Sequence, residues 1–202
     1  MFTGIVTDIG TVRAAEQRGD LRLQIETGYD TATIDLGASI ACSGVCLTVV
    51  DKCKDWFAVD VSGETVSRTA RDLWREGATL NLERSLRLGD EIGGHIVTGH
   101  VDAVGQVIGV CPEGASHKIG ISVPRDLGAM IAPKGSITLD GVSLTVNEVR
   151  EAEDGATHFS VNIIPHTAEQ TTLRDIGTER QLNVEIDVLA RYIGRMMAAR
   201  AQ

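Results

Sequence analysis

Apolar and polar residues alternate along this chain in short runs. LRLQIE at 21–26 and HFSVNII at 158–164 alternate as strands with one face in a core do. In VCLTVV (45–50), Val45, Leu47 and Val49 share one face, and Cys46 and Thr48 take the other. VSLTVN (142–147) repeats the arrangement, with Val142, Leu144 and Val146 opposite Ser143 and Thr145. Each run follows a hairpin-turn signal, Ser43-Gly44 or Asp140-Gly141. Short strands separated by turns, in a chain with 22 glycines, predict a small antiparallel barrel or sandwich. Short helices are expected over 65–74, 124–132 and 167–174, the last opening on a capping box, Thr167-x-x-Gln170. The tail breaks the pattern. Leu189, Ile193 and Met196 or Met197 form a helical stripe, and Arg195 and Arg200 fall near the negative end of that helix. The stripe fits either docking on its own chain or packing against copies of itself.

The alternation also repeats at long range. GASIACSGVCLTV (37–49) matches KGSITLDGVSLTV (134–146) at an offset of 97. GIVTDIGTV (4–12) matches GHVDAVGQV (99–107) at 95, and TLNLE (79–83) matches QLNVE (181–185) at 102. A weaker match, also at 102, joins DVSGET (60–65) to NIIPHT (162–167). Collinear blocks with slowly drifting offsets mark an internal duplication. LRLGDEIGGH (86–95) reads as the join, its glycines giving the backbone freedom to turn. The expected domains are 1–95 and 96–187, with a terminal segment at 188–202.

Composition narrows the function classes. A formal net charge of −9 disfavours phosphate backbones and anionic lipid, and 3% aromatics leave no stacking platform for single strands. Nucleic-acid and membrane partners are therefore not expected. MFTGIV lacks a basic region leading into an apolar stretch, so a cytoplasmic location is expected. The cysteines (Cys42, Cys46, Cys53, Cys111) form no C-x-x-C pair and the histidines no ligand spacing, which disfavours a metal. There is no phosphate loop, dinucleotide fingerprint or G-x-S-x-G elbow. From the residues alone the chain is a twin-barrel binding protein or enzyme for a small, uncharged or weakly charged ligand, and the Cys46/Ser143 difference suggests that its two pockets do different work.

MFTGIV, GVCLTV, GGHIVTGHVD and DGVSLTV together resemble the riboflavin synthase family, the trimeric type with two lumazine-binding barrels. The resemblance runs from residue 1 to about 190. It implies an all-β fold: two homologous six-stranded Greek-key barrels from a duplication, followed by a C-terminal trimerisation helix at 188–202. It implies a dismutation in which one 6,7-dimethyl-8-ribityllumazine passes a four-carbon unit to another. The products are riboflavin and 5-amino-6-ribitylamino-pyrimidinedione, and no cofactor is needed. One lumazine is expected on Cys46, Leu47 and Thr48, on Asp60, Val61, Ser62, Gly63, Glu64 and Thr65, and on Gly99, His100 and Val101. The other is expected on Ser143, Leu144 and Thr145, on Asn162, Ile163, Ile164, Pro165, His166 and Thr167, and on Gly4, Ile5 and Val6, with Lys134 near the site. The resemblance implies that a pocket forms where the N-terminal barrel of one subunit faces the C-terminal barrel of a neighbour. His100 is the expected proton-transfer residue, because imidazole titrates near working pH. Cys46 and Ser39 match positions beside the N-barrel ligand, Cys46 as nucleophile or as ring contact. Asp187 orients charge at the site or caps the tail helix. His166 and Ser43 depart from residues common in the family and are expected near the pockets. Two other readings remain open: a non-catalytic lumazine or flavin antenna, against which Ser39, Cys46 and His100 count, and a reductase-type barrel, which wants a nicotinamide domain.

Overall fold

The computed structural model describes residues 1–200. Its first barrel is built from β1 (Asp8–Arg18), β2 (Asp20–Glu26), β3 (Ser39–Cys42), β4 (Val45–Lys52), β5 (Trp56–Val61) and β6 (Thr79–Arg84). The second uses β7 (Ala103–Glu113), β8 (Ser116–Val123), β9 (Ser136–Leu139), β10 (Val142–Glu151), β11 (Thr157–Ile163) and β12 (Gln181–Ile186). Both sheets close. The first runs β1-β2-β5-β4-β3-β6, and the second follows the same cyclic order with six added to each number. This is the Greek-key pairing that the family resemblance implied. All neighbouring strands pair antiparallel, and closure leaves no sheet edge open to another chain.

Alternation fills each barrel with its own core. Leu23, Ile25, Phe57, Val59, Leu80 and Leu82 are among the fully covered side chains of the first. Ile119, Ile121, Ile137, Leu139, Val161 and Val184 serve the second. Burying one such side chain contributes about 1.5–3 kcal/mol, so these layers dominate stability. Val45, Leu47 and Val49 face one core and Val142, Leu144 and Val146 the other, as the alternation requires.

The two turn signals meet. Ser43 and Gly44 have φ of +45° and +79°, and Asp140 and Gly141 have +45° and +81°, the left-handed pair of a tight hairpin. A Cβ on Gly44 would stand 2.8 Å from the Gly141 nitrogen, and one on Gly141 equally close to that of Gly44. The hairpin tips therefore touch at a pseudo-twofold axis. Two buried asparagines stitch the barrels there. Asn81 Nδ2 donates to the Asp140 carbonyl (2.8 Å) while its Oδ1 accepts from Thr172 N (2.8 Å). Asn183 Nδ2 donates to the Ser43 carbonyl (2.8 Å) while its Oδ1 accepts from Ala70 N (2.7 Å). Ser43, expected near a pocket, is instead buried in this contact.

The same bonds explain why two of the helices, α1 and α3, stop earlier than expected. α1 (Gly63–Arg68) starts at its Ser62 cap, whose hydroxyl accepts from Thr65 N, and stops before the Ala70 amide is given to Asn183. α2 covers only Arg125–Gly128. α3 (Pro165–Gln170) starts two residues before Thr167, because Pro165 supplies a preset first helical position; no side chain caps it, and the expected capping box does not form. Beyond it, the Thr172 amide goes to Asn81. In the join, Gly89 alone takes a positive φ (+98°). α4 (Val188–Arg200) is a helix with Leu189, Tyr192, Ile193, Met196 and Met197 all exposed; residues 201 and 202 of the expected tail helix lie outside the described residues.

Candidate active site

Each barrel carries on its outer wall a small polar platform crossed by a strap from elsewhere in the chain. On the first barrel, Cys46 pairs with Ala41 and Thr48 with Ser39, which places all four side chains on one outward face. The strap Thr98–His100 passes over them, and the Gly99 carbonyl accepts from Cys46 N at 2.9 Å. On the second barrel, Ser143 pairs with Thr138 and Thr145 with Ser136. There the strap is Thr3–Ile5, and the Gly4 carbonyl accepts from Ser143 N at 2.8 Å. Both glycines are required. A Cβ on Gly99 would lie 2.6 Å from that of Cys46, and one on Gly4 would lie 2.5 Å from that of Ser143, at φ of +79° and +76°.

A buried glutamate anchors each strap. Glu83 in β6 accepts from Thr3 N (2.6 Å), Thr3 Oγ1 (2.8 Å) and Gly4 N (2.9 Å). Glu185 in β12 accepts from Thr98 N (2.7 Å), Thr98 Oγ1 (2.6 Å), Gly99 N (2.9 Å) and His100 N (3.1 Å). Each strap is thus held by one barrel and delivered to the other. Burial raises the Glu83 carboxyl above its usual range, against the pull of the Thr3 and Gly4 donors.

The platforms differ in what covers them. Over Cys46 and Ala41 lie Phe2 and Val97, an apolar cap whose two backbones bridge antiparallel at the pseudo-axis. Over Ser143 and Thr138 lies His95. Its Nδ1 is 2.7 Å from Ser143 Oγ and its Nε2 3.2 Å from Thr138 Oγ1. Burial lowers the His95 pKa, with Asp187 and Glu185 pulling the other way. His95 pairs with the residue that differs between the repeats, and the sequence reading missed it. Its signal was present as the first histidine of GGHIVTGHVD. Glu83 and Glu185 were likewise visible only as the matched ends of TLNLE and QLNVE.

The remaining expected residues fall around these platforms. Leu47, Val61, Leu144 and Ile163 turn their side chains into the barrel cores and offer a ligand only backbone. Thr48, Thr145, Ser62, Gly63, Glu64, Ile164, Pro165, His166, Ile5 and His100 are exposed, and Ser39, Thr65, Val6, Val101 and Thr167 are half-buried. Asp60 receives a two-point ion pair from Arg22 (2.8 and 3.0 Å), which lowers its pKa. Asn162 Oδ1 accepts from Asn147 Nδ2 at 3.0 Å. Lys134 is exposed in the turn before β9. Asp187 is engaged as a helix cap, its Oδ1 accepting from Leu189 N at 2.8 Å.

Two related platforms thus sit on a duplicated pair of closed barrels. A family profile described as "Lumazine binding domain" matches residues 3–85 and again 98–187. A riboflavin synthase of Brucella abortus (strain 2308) is 47% identical over 202 residues, spanning 97% of this chain and 98% of that protein. One of Mycobacterium bovis (strain ATCC BAA-935 / AF2122/97) is 44% identical over 98% of both. Among solved structures, LumP complexed with riboflavin superposes with a TM-score of 0.80 at 25% identity, covering 92% of this chain and 99% of that one. LumP complexed with 6,7-dimethyl-8-(1'-D-ribityl) lumazine gives 0.77 at 24%, a likeness of fold. The chain belongs to the riboflavin synthase family.

Proposed function

We propose that this chain is a transferase that catalyses the riboflavin synthase reaction, the dismutation of two molecules of 6,7-dimethyl-8-ribityllumazine. The observation that carries the reading is the pair of strap-covered platforms, alike in plan and different in chemistry. One reaction that consumes the same molecule in two roles calls for such a pair. One lumazine loses a proton from its 7-methyl group and becomes the carbon nucleophile. The other is attacked, and a four-carbon unit moves between them. Riboflavin and 5-amino-6-ribitylamino-pyrimidinedione together account for every atom of the two substrates, so no external oxidant or cofactor is consumed.

The side chains divide the work. His100 is exposed beside the Cys46 platform, where an imidazole can take or return a proton. Cys46 and Ser39 contact the ring on that platform, and Asp60 to Thr65 with Val101 complete its rim. Ser143 and Thr145, with Gly4 to Val6, Asn162 to Thr167 and Lys134, hold the second lumazine. Placing two rings face to face supplies on the order of 7–11 kcal/mol of the barrier reduction. We place the reacting pair between the N-terminal barrel of one subunit and the C-terminal barrel of the next, in a homotrimer held by α4. Its exposed Leu189, Ile193 and Met196 support that assembly. No helix among the described residues is long and apolar enough to cross a membrane; we assign the enzyme to the cytoplasm.

The test is incubation of the purified chain with 6,7-dimethyl-8-ribityllumazine alone, with chromatography of substrate and riboflavin. Riboflavin should appear at one mole per two moles of substrate lost. Binding without turnover would identify an antenna instead. His100→Gln should slow turnover strongly and weaken binding little; unchanged turnover removes His100 from the mechanism.

A further inference from the structure

The His100 strap is gripped at both of its backbone polar groups. Its N–H reaches Glu185 (3.1 Å), and its carbonyl accepts from Arg191 Nη2 (3.3 Å). The same Nη2 lies 2.7 Å from Asp102 Oδ2, and Asp102 also accepts from Ile186 N at 2.9 Å. Arg191 stands in the first turn of α4, directly after the Asp187 cap, with its amide bonded to the Asp187 carbonyl (3.2 Å). Its Nε is buried and has no partner among the described residues. One terminal nitrogen thus serves both Asp102 and the His100 carbonyl, while the Nε beside it is shut off from water. The role of Arg191 is not that of a loose surface ion pair.

The duplication supplies an internal control. The Thr3–Ile5 strap has its glutamate, but no helix follows β6; residues 85–95 form the join. At the offset of 95, Asp102 corresponds to Thr7, which pairs with Tyr29. Only the strap that carries His100 is braced from a helix.

The geometry points to Arg191 as a positioning residue for His100. It fixes the His100 carbonyl from the terminal helix and so ties the setting of the proton-transfer residue to the docking of α4. This rests on the proposed function, in which α4 assembles subunits and His100 acts at the first platform. A helix displaced by faulty assembly then releases the strap at its carbonyl end.

The test uses the full chain with Arg191→Met, which keeps the buried stem, and Arg191→Lys, which keeps a donor. Turnover of 6,7-dimethyl-8-ribityllumazine should fall on the order of ten- to a hundredfold in Arg191→Met, the scale on which about an ångström of misplacement acts. KM should stay within about twofold, since the platforms themselves are intact, and Arg191→Lys should recover most of the lost kcat. Sedimentation of both variants should match the wild type. An unchanged kcat in Arg191→Met overturns the proposal. So does a loss that Lys does not rescue and that follows dissociation in the sedimentation profile, because Arg191 would then serve assembly alone. Failure of the wild-type chain to form riboflavin is a separate result and refutes the proposed function.

Discussion

Gly99→Ala tests the strap directly, and its cost can be worked from two terms. The first is strain. Gly99 sits at φ +79°, where an L residue loses roughly 1–2 kcal/mol. The second is collision. The new Cβ would stand 2.6 Å from Cys46 Cβ and 2.8 Å from Cys46 N, against an ordinary contact that begins at 3.4 Å. The strap must therefore lift by about 0.8 Å (3.4 less 2.6), an overpacking of about 1–3 kcal/mol. Gly19→Ala separates the terms, because Gly19 has φ +91° and nothing within 4 Å of its absent Cβ. Urea unfolding followed by tryptophan fluorescence reports on the first barrel, which holds both Trp56 and Trp74. Gly19→Ala should lose roughly 1–2 kcal/mol and keep full turnover. Gly99→Ala should lose about 2–5 kcal/mol, and its turnover should fall up to a hundredfold as His100 moves with the strap. If the two variants share one urea midpoint and one turnover number, the strap does not press on Cys46 and the platform is misdescribed.

Other outcomes follow from the same contacts. Because burial lowers the His95 pKa from 6.5, the unfolded chain takes up that proton first on acidification. Wild-type stability therefore declines as pH drops through 6.5 toward the folded value, and His95→Gln should flatten that part of the urea-against-pH profile; a parallel profile would contradict the burial. Asn183→Ala strands the Ala70 amide and the Ser43 carbonyl, each at about 1–3 kcal/mol, and Asn81→Ala should lose a like amount at the mirror contact. A destabilisation below about 1 kcal/mol in either would show that water replaces the stitch. Truncation before Leu189 should yield a species of lower mass in sedimentation equilibrium, whereas an unchanged mass would free α4 from any part in assembly.

What could be read in advance was local. Strand alternation put Val45, Leu47 and Val49 in a core, and the Ser43-Gly44 and Asp140-Gly141 signals gave the hairpins, because both depend on neighbouring residues. Self-similarity then gave two domains of one plan, and the family resemblance made them six-stranded barrels. What escaped was made by contacts between residues far apart in the chain. Glu83 meets Thr3 from 80 residues away, and Asn183 meets Ala70 from 113; no periodicity reports such pairs. The ends of α1 and α3 were missed for the same reason, since the amides that would extend them are claimed by the opposite barrel. At the platforms, Cys46 and Ser143 were legible as a diverged pair, whereas the caps, Phe2 on one and His95 on the other, depended on where straps land in space. The placement of Leu47 and Val61 in the core was predictable from alternation, even though they belong to runs expected to hold ligand.

The crossing of the straps also sets an order on synthesis. Thr3, Gly4 and Ile5 are made long before Ser143, in the strand that they cover. Phe2 closes against Val97, so until that residue emerges the newborn first barrel leaves an aromatic ring uncovered. The second half of the chain thus completes a seal that the first half begins, and a nascent chain stalled between them exposes residues that the finished molecule hides.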